Sequence, residues 1–411
     1  MRWPWLLSDR GVLTVAGSVA VIGVAAMVAM LLIATGAEAA DRAGLRIEAI
    51  KYGLGFFAAA GAAAALLLGV RRQRLSERAH ELELRKQKHA EEDARDRRVT
   101  ELYTKAVEQL GSADAAVRLG GLYALERVAQ NNEDQRQTVV NVLCAYLRMP
   151  YAYPIPVEPA GGRDARQELE VRLTAQGILG SHLRQGQERF WPGLDLHLAG
   201  ATLIDWSLRG ALVRDVRFTG ATFAGEADFE LARFAGPAAF DGAVFTGGAR
   251  FDRATFERGA GFARARFDDF ASLRQASFAD RADFAEAEFC GEVWFRDARL
   301  TGHALFGDAS FRGDAWFDGA AFRGGVSFGG ARFDGETRFD RTDLAGDARF
   351  DGARFGGEVR FERTSFGGDA QFNNVTFARA PGLEEAVVVP RDGRDDVWPA
   401  GWRLVGGSLV S

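Results

Sequence analysis

Large apolar residues between Phe218 and Phe377 recur with gaps that alternate between five and six residues. The register has no break, and only Leu273, Leu300 and Leu344 replace phenylalanine at its centres. Two residues before each centre stands alanine, valine or threonine, and the residue between the two is usually polar. This order of small, polar and large side chains follows the alternation of a β-strand, whose side chains point to opposite faces. The spacing therefore predicts short strands on the sides of a repeating coil.

An eleven-residue unit is too short to bury its own phenylalanine, so successive units must stack to make a core. If one coil holds two such units, residues 22 positions apart lie above one another. Most six-residue gaps carry glycine two positions after the centre, as at Gly291, Gly313 and Gly357. We expect these glycines to occupy corners that need unusual backbone dihedral angles.

Four further centres, Leu198, Leu203, Leu208 and Val213, lead into this pattern in steps of five. Their segment, LAGATLIDWSLRGALV, is close to the pattern A-(D/N)-L-x-x. The chain here resembles the pentapeptide-repeat proteins, in a variant in which alternate repeats gain one residue. The resemblance implies an all-β fold, a right-handed quadrilateral β-helix with four repeats per coil.

We expect this pentapeptide-repeat solenoid to occupy residues 190–380. The repeat breaks at Pro381, and the remaining residues, 381–411, contain Trp398 and Trp402. An open final coil would expose strand edges that invite aggregation, so this segment is interpreted as a C-terminal cap. A docking tail is the alternative.

Two uncharged runs near the N-terminus, residues 11–36 and 52–70, are long enough to cross a bilayer as helices. Residues 37–51 would form a short external loop, although Ala37-Glu38-Ala39 also resembles a signal-peptidase site. The apolar run before that site is too long for a signal peptide. Arginine and lysine cluster just after residue 70. This distribution predicts a two-helix transmembrane hairpin in the plasma membrane, with residues 1–10, the C-terminus and the β-helix in the cytoplasm.

A helical region is predicted between the hairpin and the repeats. Residues 71–110 suit a charged juxtamembrane helix, whose arginines either touch anionic lipid headgroups or only fix the topology. Residues 111–189 suit a small α-helical domain, and the stretch from Asp114 to Val128 resembles a helix of HEAT or armadillo repeats. Its apolar spacing places Val117, Leu169 and Leu173 among the core positions. This domain either binds protein or caps the β-helix.

The sequence lacks the common signatures of catalysis and of cofactor or metal binding. The five histidines are scattered, and neither a phosphate-binding loop nor an HExxH motif occurs. Cys144 and Cys290 are far apart and lack metal-ligand spacing, so we expect reduced thiols that are buried or solvated. Hexapeptide acyltransferases would need an unbroken period of six. We expect no enzyme activity and no cofactor.

The interval of two units places Trp294, Trp316, Arg338 and Arg360 in one outward column. Two exposed indoles beside two guanidinium groups form a candidate partner-binding patch, because tryptophan and arginine are enriched at interaction hot spots. Chance aromatic residues on a long rod are the alternative interpretation. The patch would bind an unknown protein partner. Whether several chains associate through the hairpin, as homo-oligomers, is left open by the sequence.

A second hypothesis comes from the resemblance, because some pentapeptide-repeat proteins resemble duplex DNA and bind type II topoisomerases. Residues 190–380 contain 23 arginines and 29 acidic residues, a net charge of −6, with the two signs interleaved. Mimicry needs a strongly acidic face, and the formal charge of −5 for the whole chain predicts no direct nucleic-acid binding. We therefore expect a non-catalytic protein-binding or scaffolding module at the cytoplasmic face, with DNA-mimic modulation of a type II topoisomerase or of another nucleic-acid-binding protein as the alternative.

Overall fold

A computed structural model of the chain describes residues 9–36, 38, 41–154 and 164–410. The expectations for residues 1–8, for Ala37 and Ala39, and for the loop over 155–163 lie outside the described residues. The chain divides into two compact units, Met1–Arg98 and Val99–Ser411.

The first unit is a pair of helices, α1 (Asp9–Thr35) and the first part of α2 (Arg42–Leu110). Both helices contain a stretch that is long and apolar enough to cross a membrane. Helix α2 continues through the charged residues without a break, because its 69 residues include no proline. The orientation of the two helices in a membrane stays a prediction.

Small residues allow α1 and α2 to approach each other closely. A Cβ atom on Gly23 would lie 2.9 Å from the Cβ of Phe56, and one on Gly53 would lie 2.8 Å from the sulfur of Met27. Ala34 and Ala49 are fully buried. Larger side chains at these positions would separate the two helices.

The second unit begins with the end of α2, where Ala106 and Leu110 are buried. Three helices and a 3₁₀ turn follow, namely α3 (Ala115–Asn131), Glu133–Gln135, α4 (Arg136–Leu147) and α5 (Ala165–Leu183). Asp114 caps α3 by accepting a hydrogen bond from the Ala116 amide at 2.8 Å, and Asp164 caps α5 in the same way from Arg166.

The buried face of α5 differs from the one that its apolar spacing predicts. Leu169 and Leu173 are only half-buried, and Val117 on α3 is 40% exposed. Leu179 and Leu183 are buried, and four polar residues of α5 also take inward positions, Glu168, Arg172, Gln176 and His182. The expectation that Val117, Leu169 and Leu173 are core positions was wrong, because these polar residues share the inward positions and each has a hydrogen-bond partner.

Glu168 is the centre of a buried polar cluster that joins α3, α4 and α5. Its carboxylate accepts hydrogen bonds from the Tyr146 hydroxyl at 2.9 Å and the Arg172 Nε at 3.1 Å, and lies 3.3 Å from the Arg118 Nη2. Arg118 donates to the carbonyls of Ser112 and Ala113, and Arg172 to two carbonyls at the C-terminal end of α4. Burial and the hydrogen bond to Glu168 raise the pKa of Tyr146 to about 12.

Residues from Leu196 onward form a β-solenoid of about nine turns, with four sheets of parallel strands. We number the faces in the order in which the chain visits them. Face 1 contains Leu196–His197, Val216–Arg217, Ala238–Ala239, Ala260–Gly261, Ala282–Asp283, Ala304–Leu305, Val326–Ser327, Ala348–Arg349 and Ala370–Gln371. Face 2 contains Thr202–Ile204, Thr222–Ala224, Val244–Phe245, Arg266–Phe267, Glu288–Phe289, Ser310–Phe311, Arg332–Phe333, Arg354–Phe355 and Thr376–Phe377.

Faces 3 and 4 complete each turn. Face 3 contains Ala227–Asp228, Ala249–Arg250, Ala271–Ser272, Val293–Trp294, Ala315–Trp316, Thr337–Arg338 and Val359–Arg360. Face 4 contains Leu212–Val213, Arg233–Phe234, Thr255–Phe256, Ser277–Phe278, Arg299–Leu300, Ala321–Phe322, Asp343–Leu344, Ser365–Phe366 and Val387–Val388, and ends in the antiparallel strands Arg403–Val405 and Ser408–Val410. The four-sided β-solenoid fold is confirmed, and its handedness stays a prediction.

The strand register follows the sequence repeat. In the part with steps of five, Leu196 pairs with Val216, which is four steps further along the chain. Where steps of five and six alternate, Phe256 pairs with Phe278, again four steps further along. Phenylalanines therefore stack in columns, and ring centroids in the face 2 column from Phe223 to Phe377 lie 4.5 to 5.2 Å apart.

Most glycines of the six-residue corners lack the unusual dihedral angles that we expected, although Gly225 has a φ of 80°. Gly313 and Gly357 lack a positive φ, whereas Leu231 and Arg253 in five-residue corners have φ of 59° and 57°. A Cβ atom on Gly357 would lie 2.1 Å from the carbonyl oxygen of Gly335, one coil away. These glycines are needed because adjacent coils approach each other closely at this corner, so the expectation of unusual dihedral angles was wrong there.

The helical domain covers the first coil through two glutamine side chains. The Gln176 amide donates to the Ile204 carbonyl at 2.7 Å and accepts from the Ile204 amide at 3.0 Å. Gln137 makes the same pair of hydrogen bonds with Asp195, at 3.0 and 2.9 Å. Each side chain thus replaces the strand that would lie below the first coil. At the other end, Trp402 lies over Phe361, Phe372 and Phe377, with ring centroids 5.3 to 5.9 Å apart.

Candidate functional site

The four candidate residues lie in consecutive strands of face 3. Trp294 pairs with Trp316, Trp316 with Arg338, and Arg338 with Arg360. Strand alternation turns Val293 and Ala315 inward and both indoles outward. We call Trp294, Trp316, Arg338 and Arg360 the face 3 column.

Both indoles are half-buried rather than exposed, because guanidinium groups lie over them. Arg274 lies 4.4 Å above the Trp294 ring, and Arg296 and Arg338 lie 4.6 and 4.1 Å from the Trp316 ring. At such distances the cation is attracted to the negative face of the ring. The tryptophans and arginines therefore form one continuous surface in which each indole is held in place.

The arginines Arg274 and Arg296 were missed because only residues in the strand register were compared. Ser272 is the strand partner of Trp294 in the previous coil, and Arg274 comes two positions after Ser272, in the corner that follows this strand. Arg296 has the same relation to Trp316. Phe270 was missed for a similar reason and lies 5.5 Å from Trp294. An arginine two positions after the strand partner of an outward aromatic residue is the sequence signal for this contact.

Acidic residues neutralise the arginines at the C-terminal end of the face 3 column. The Arg338 Nε donates to Glu336 at 2.5 Å, and the Arg360 Nε donates to Glu358 at 2.9 Å. Arg296 contacts Asp318 at 3.3 Å. In contrast, Arg274 is exposed, and its backbone amide donates to Asp252 whereas its guanidinium group forms no ion pair among the described residues. Positive charge is therefore available beside Trp294 and largely compensated beside Trp316.

A comparison with family models gives the relationship of this region to known proteins. Residues 218–266, 262–310, 299–343 and 339–387 match the family model described as Pentapeptide repeats (9 copies). This region of the chain belongs to the pentapeptide-repeat family. No curated protein and no solved structure matches it.

The pentapeptide-repeat solenoid is generally a non-catalytic fold. Among the residues that the structure describes, no group of three or more His, Cys, Asp or Glu side chains is arranged to hold a metal ion. Cys144 is buried, and burial raises its pKa to about 11, so its thiol is protonated at neutral pH. Cys290 is half-buried. The surface available for binding in this pentapeptide-repeat solenoid therefore consists of the outward side chains of its four faces.

Proposed function

We propose that this protein is a membrane-anchored, non-catalytic module that binds another protein at the cytoplasmic face through the face 3 column. Pentapeptide-repeat solenoids often bind proteins. The carrying observation is the surface of two outward indoles, one covered by a single guanidinium group and the other packed between two. Such a surface is preorganised, so its side chains lose little conformational entropy when a partner covers them.

Anchoring by α1 and α2 is the second part of the proposal. Two apolar helices near the N-terminus support it, and the basic residues after residue 70 favour a cytoplasmic solenoid. The test is labelling of intact cells with a membrane-impermeant thiol reagent, in a Cys290→Ser background. We expect Asp41→Cys to react from outside and Ser277→Cys to react only after permeabilisation. The reverse pattern would contradict the proposed topology.

The binding proposal is tested with the full chain in its native membrane. Trp294→Thr combined with Trp316→Thr removes the indoles and keeps a β-branched residue, which suits a strand. Leu305→Thr on face 1 is the matched control, because Leu305 is also outward and half-buried. Crosslinked proteins are compared by quantitative mass spectrometry.

Proteins captured by both the wild type and the control are expected to decrease at least about tenfold with the double variant, because a hot-spot side chain contributes about 2 kcal/mol or more. Equal capture by all three chains would rule out the face 3 column as the binding surface.

DNA mimicry has less support, because acidic residues of the solenoid are paired with arginines, as Glu288 is with Arg266 at 2.8 Å. We expect no inhibition of a type II topoisomerase in a supercoiling assay.

A further inference from the structure

Face 2 contains a second pair of stacked arginines, near the C-terminal end of the solenoid. Arg332 and Arg354 are direct neighbours in adjacent strands, and both are exposed. The Arg332 Nε donates to Asp334, two residues later, at 2.7 Å. Arg354 has no carboxylate partner among the described residues, because the residue two positions after it is Gly356.

A comparison with the neighbouring arginines of face 3 shows that Arg354 lacks a carboxylate partner within the described part of the chain. Arg338 and Arg360 are also direct neighbours, but Glu336 and Glu358 supply one carboxylate for each guanidinium group. Like charges directly opposite each other destabilise a sheet. On face 2, one carboxylate has to serve two guanidinium groups. The unpaired charge of Arg354 is a local conflict that an external anion would relieve.

A groove lies beside Arg354. It occupies the place that an acidic side chain at position 356 would fill, as Asp334 does beside Arg332. Its volume is about 390 Å³, and its lining includes the apolar residues Phe377 and Ala378 as well as Arg332 and Asp334. Phe377 is half-buried, whereas Phe355 in the same stack is buried. Thr376 follows Arg354 in the outward column and is exposed. The groove thus joins a guanidinium group and a hydroxyl to an apolar part.

We infer that this groove binds an extended acidic segment of a partner protein, with a carboxylate side chain on Arg354 and an adjoining apolar side chain over Phe377. Arginine suits this ligand because its planar fork donates two parallel hydrogen bonds to one carboxylate. The apolar part of the groove is the reason for choosing a peptide over a free anion, since an inorganic ion would leave Ala378 and the part of Phe377 that Trp402 does not cover in contact with solvent. Asp334 also repels a doubly charged ion more strongly than a single carboxylate.

The test uses the purified full chain in detergent and a fluorescein-labelled peptide of six alternating glutamate and leucine residues. Binding is measured by fluorescence anisotropy, and a peptide with glutamine in place of glutamate is the ligand control. Arg354→Gln is expected to weaken binding at least about tenfold, the effect of losing a charge-assisted contact. Arg299→Gln is the matched protein control, because Arg299 on face 4 is exposed and has no carboxylate partner among the described residues. It is expected to bind like the wild type.

Gly356→Asp gives a second, independent arm. It restores the spacing of Arg332 and Asp334, so the new carboxylate is expected to occupy Arg354 and to compete with the peptide. A Cβ atom here lies 3.3 Å from the Phe333 carbonyl oxygen, a contact that a small shift relieves. Any one of three results would overturn the inference. The wild type and Arg354→Gln could bind the peptide with equal affinity, or the glutamine peptide could bind as well as the glutamate peptide. Inorganic phosphate could also displace the labelled peptide as effectively as the unlabelled peptide does. Because the groove and the face 3 column lie on different faces, either proposal can fail alone.

Discussion

In the solenoid the buried side chains are phenylalanine, aliphatic residues, Trp206 and Trp402, and the buried polar residues are only serine and threonine. The helices before it also bury Arg118, Glu168, Arg172 and His182. Apolar burial is non-directional and roughly proportional to area, so many side-chain combinations satisfy it. A buried charge needs each of its partners at hydrogen-bond distance. The two regions should therefore respond very differently to single substitutions.

The largest expected effect is in the helical domain. Glu168→Ala leaves Arg118 and Arg172 buried without their carboxylate, and removing one partner of a buried ion pair costs about 3–5 kcal/mol. We expect the free energy of unfolding of α3–α5 to fall by this amount in hydrogen exchange of the full chain. Glu170→Ala on the exposed side of α5 is the control. If the two variants lose equal stability, the cluster does not hold the helices together.

The second effect is at the junction between the regions. Gln176→Ala leaves the amide and carbonyl of Ile204, a buried residue, without their partners. An unsatisfied buried polar group costs about 1–3 kcal/mol. Exchange of the Ile204 amide should accelerate, while amides near Phe311 should not change, because a solenoid transmits stability mainly between neighbouring repeats. Acceleration of amide exchange throughout the solenoid would contradict the capping role.

The same difference explains what the sequence could predict. The alternating gaps predicted short strands on a stacked coil, and the resemblance to pentapeptide-repeat proteins supplied its four sides, so that Phe256 was expected to lie on Phe278. Together they were sufficient for the face 3 column, whose members recur once per coil. A repeat carries its own internal check, because an error in the register would turn every phenylalanine outward.

The remaining features depend on contacts that have no period. Gln176 reaches Ile204 and Tyr146 reaches Glu168 across 28 and 22 residues of irregular sequence. Each polar residue looks like a surface residue until its partner is known. Arg274 over Trp294 escaped because the contact crosses a corner, where the spacing in sequence is two positions shorter than that between paired strands. The requirement for glycine at Gly357 likewise depends on the neighbouring coil.

A third prediction concerns tolerance inside the solenoid. Phe317 stacks between Phe295 and Phe339 at 5.2 and 4.9 Å. Phe317→Leu should cost less than about 1.5 kcal/mol, because Leu273, Leu300 and Leu344 already occupy equivalent centres and similar volumes are tolerated in apolar cores. Chemical denaturation of the full chain measures the change. A loss as large as that of Glu168→Ala would show that the phenylalanine stacks are as demanding as the buried charges.

The smallest expected effect is on the solenoid surface and has the opposite sign. Burial, together with the neighbouring carboxylates of Glu362 and Asp318, raises the pKa of Asp340 above its ordinary value. Because the folded state disfavours the charged form, this carboxyl contributes stability at low pH that is lost as the pH rises through its folded pKa. Asp340→Asn should therefore leave stability unchanged near pH 3 and increase it at pH 7, by less than about 1 kcal/mol.

The backbone amide of Glu362 donates a hydrogen bond to the Asp340 carboxylate at 3.2 Å. The side-chain oxygen of asparagine in the Asp340→Asn variant can still accept this bond, so the substitution changes only the charge. Asp318→Asn is the matched control, because Asp318 is paired with Arg296 and its neutralisation removes an attraction. Melting temperatures between pH 3 and pH 7 distinguish the two variants. A gain for both would mean that net negative charge alone limits the solenoid, whereas a gain for Asp340→Asn only would show that surface charges act through their immediate neighbours, as the buried charges of the helical domain do.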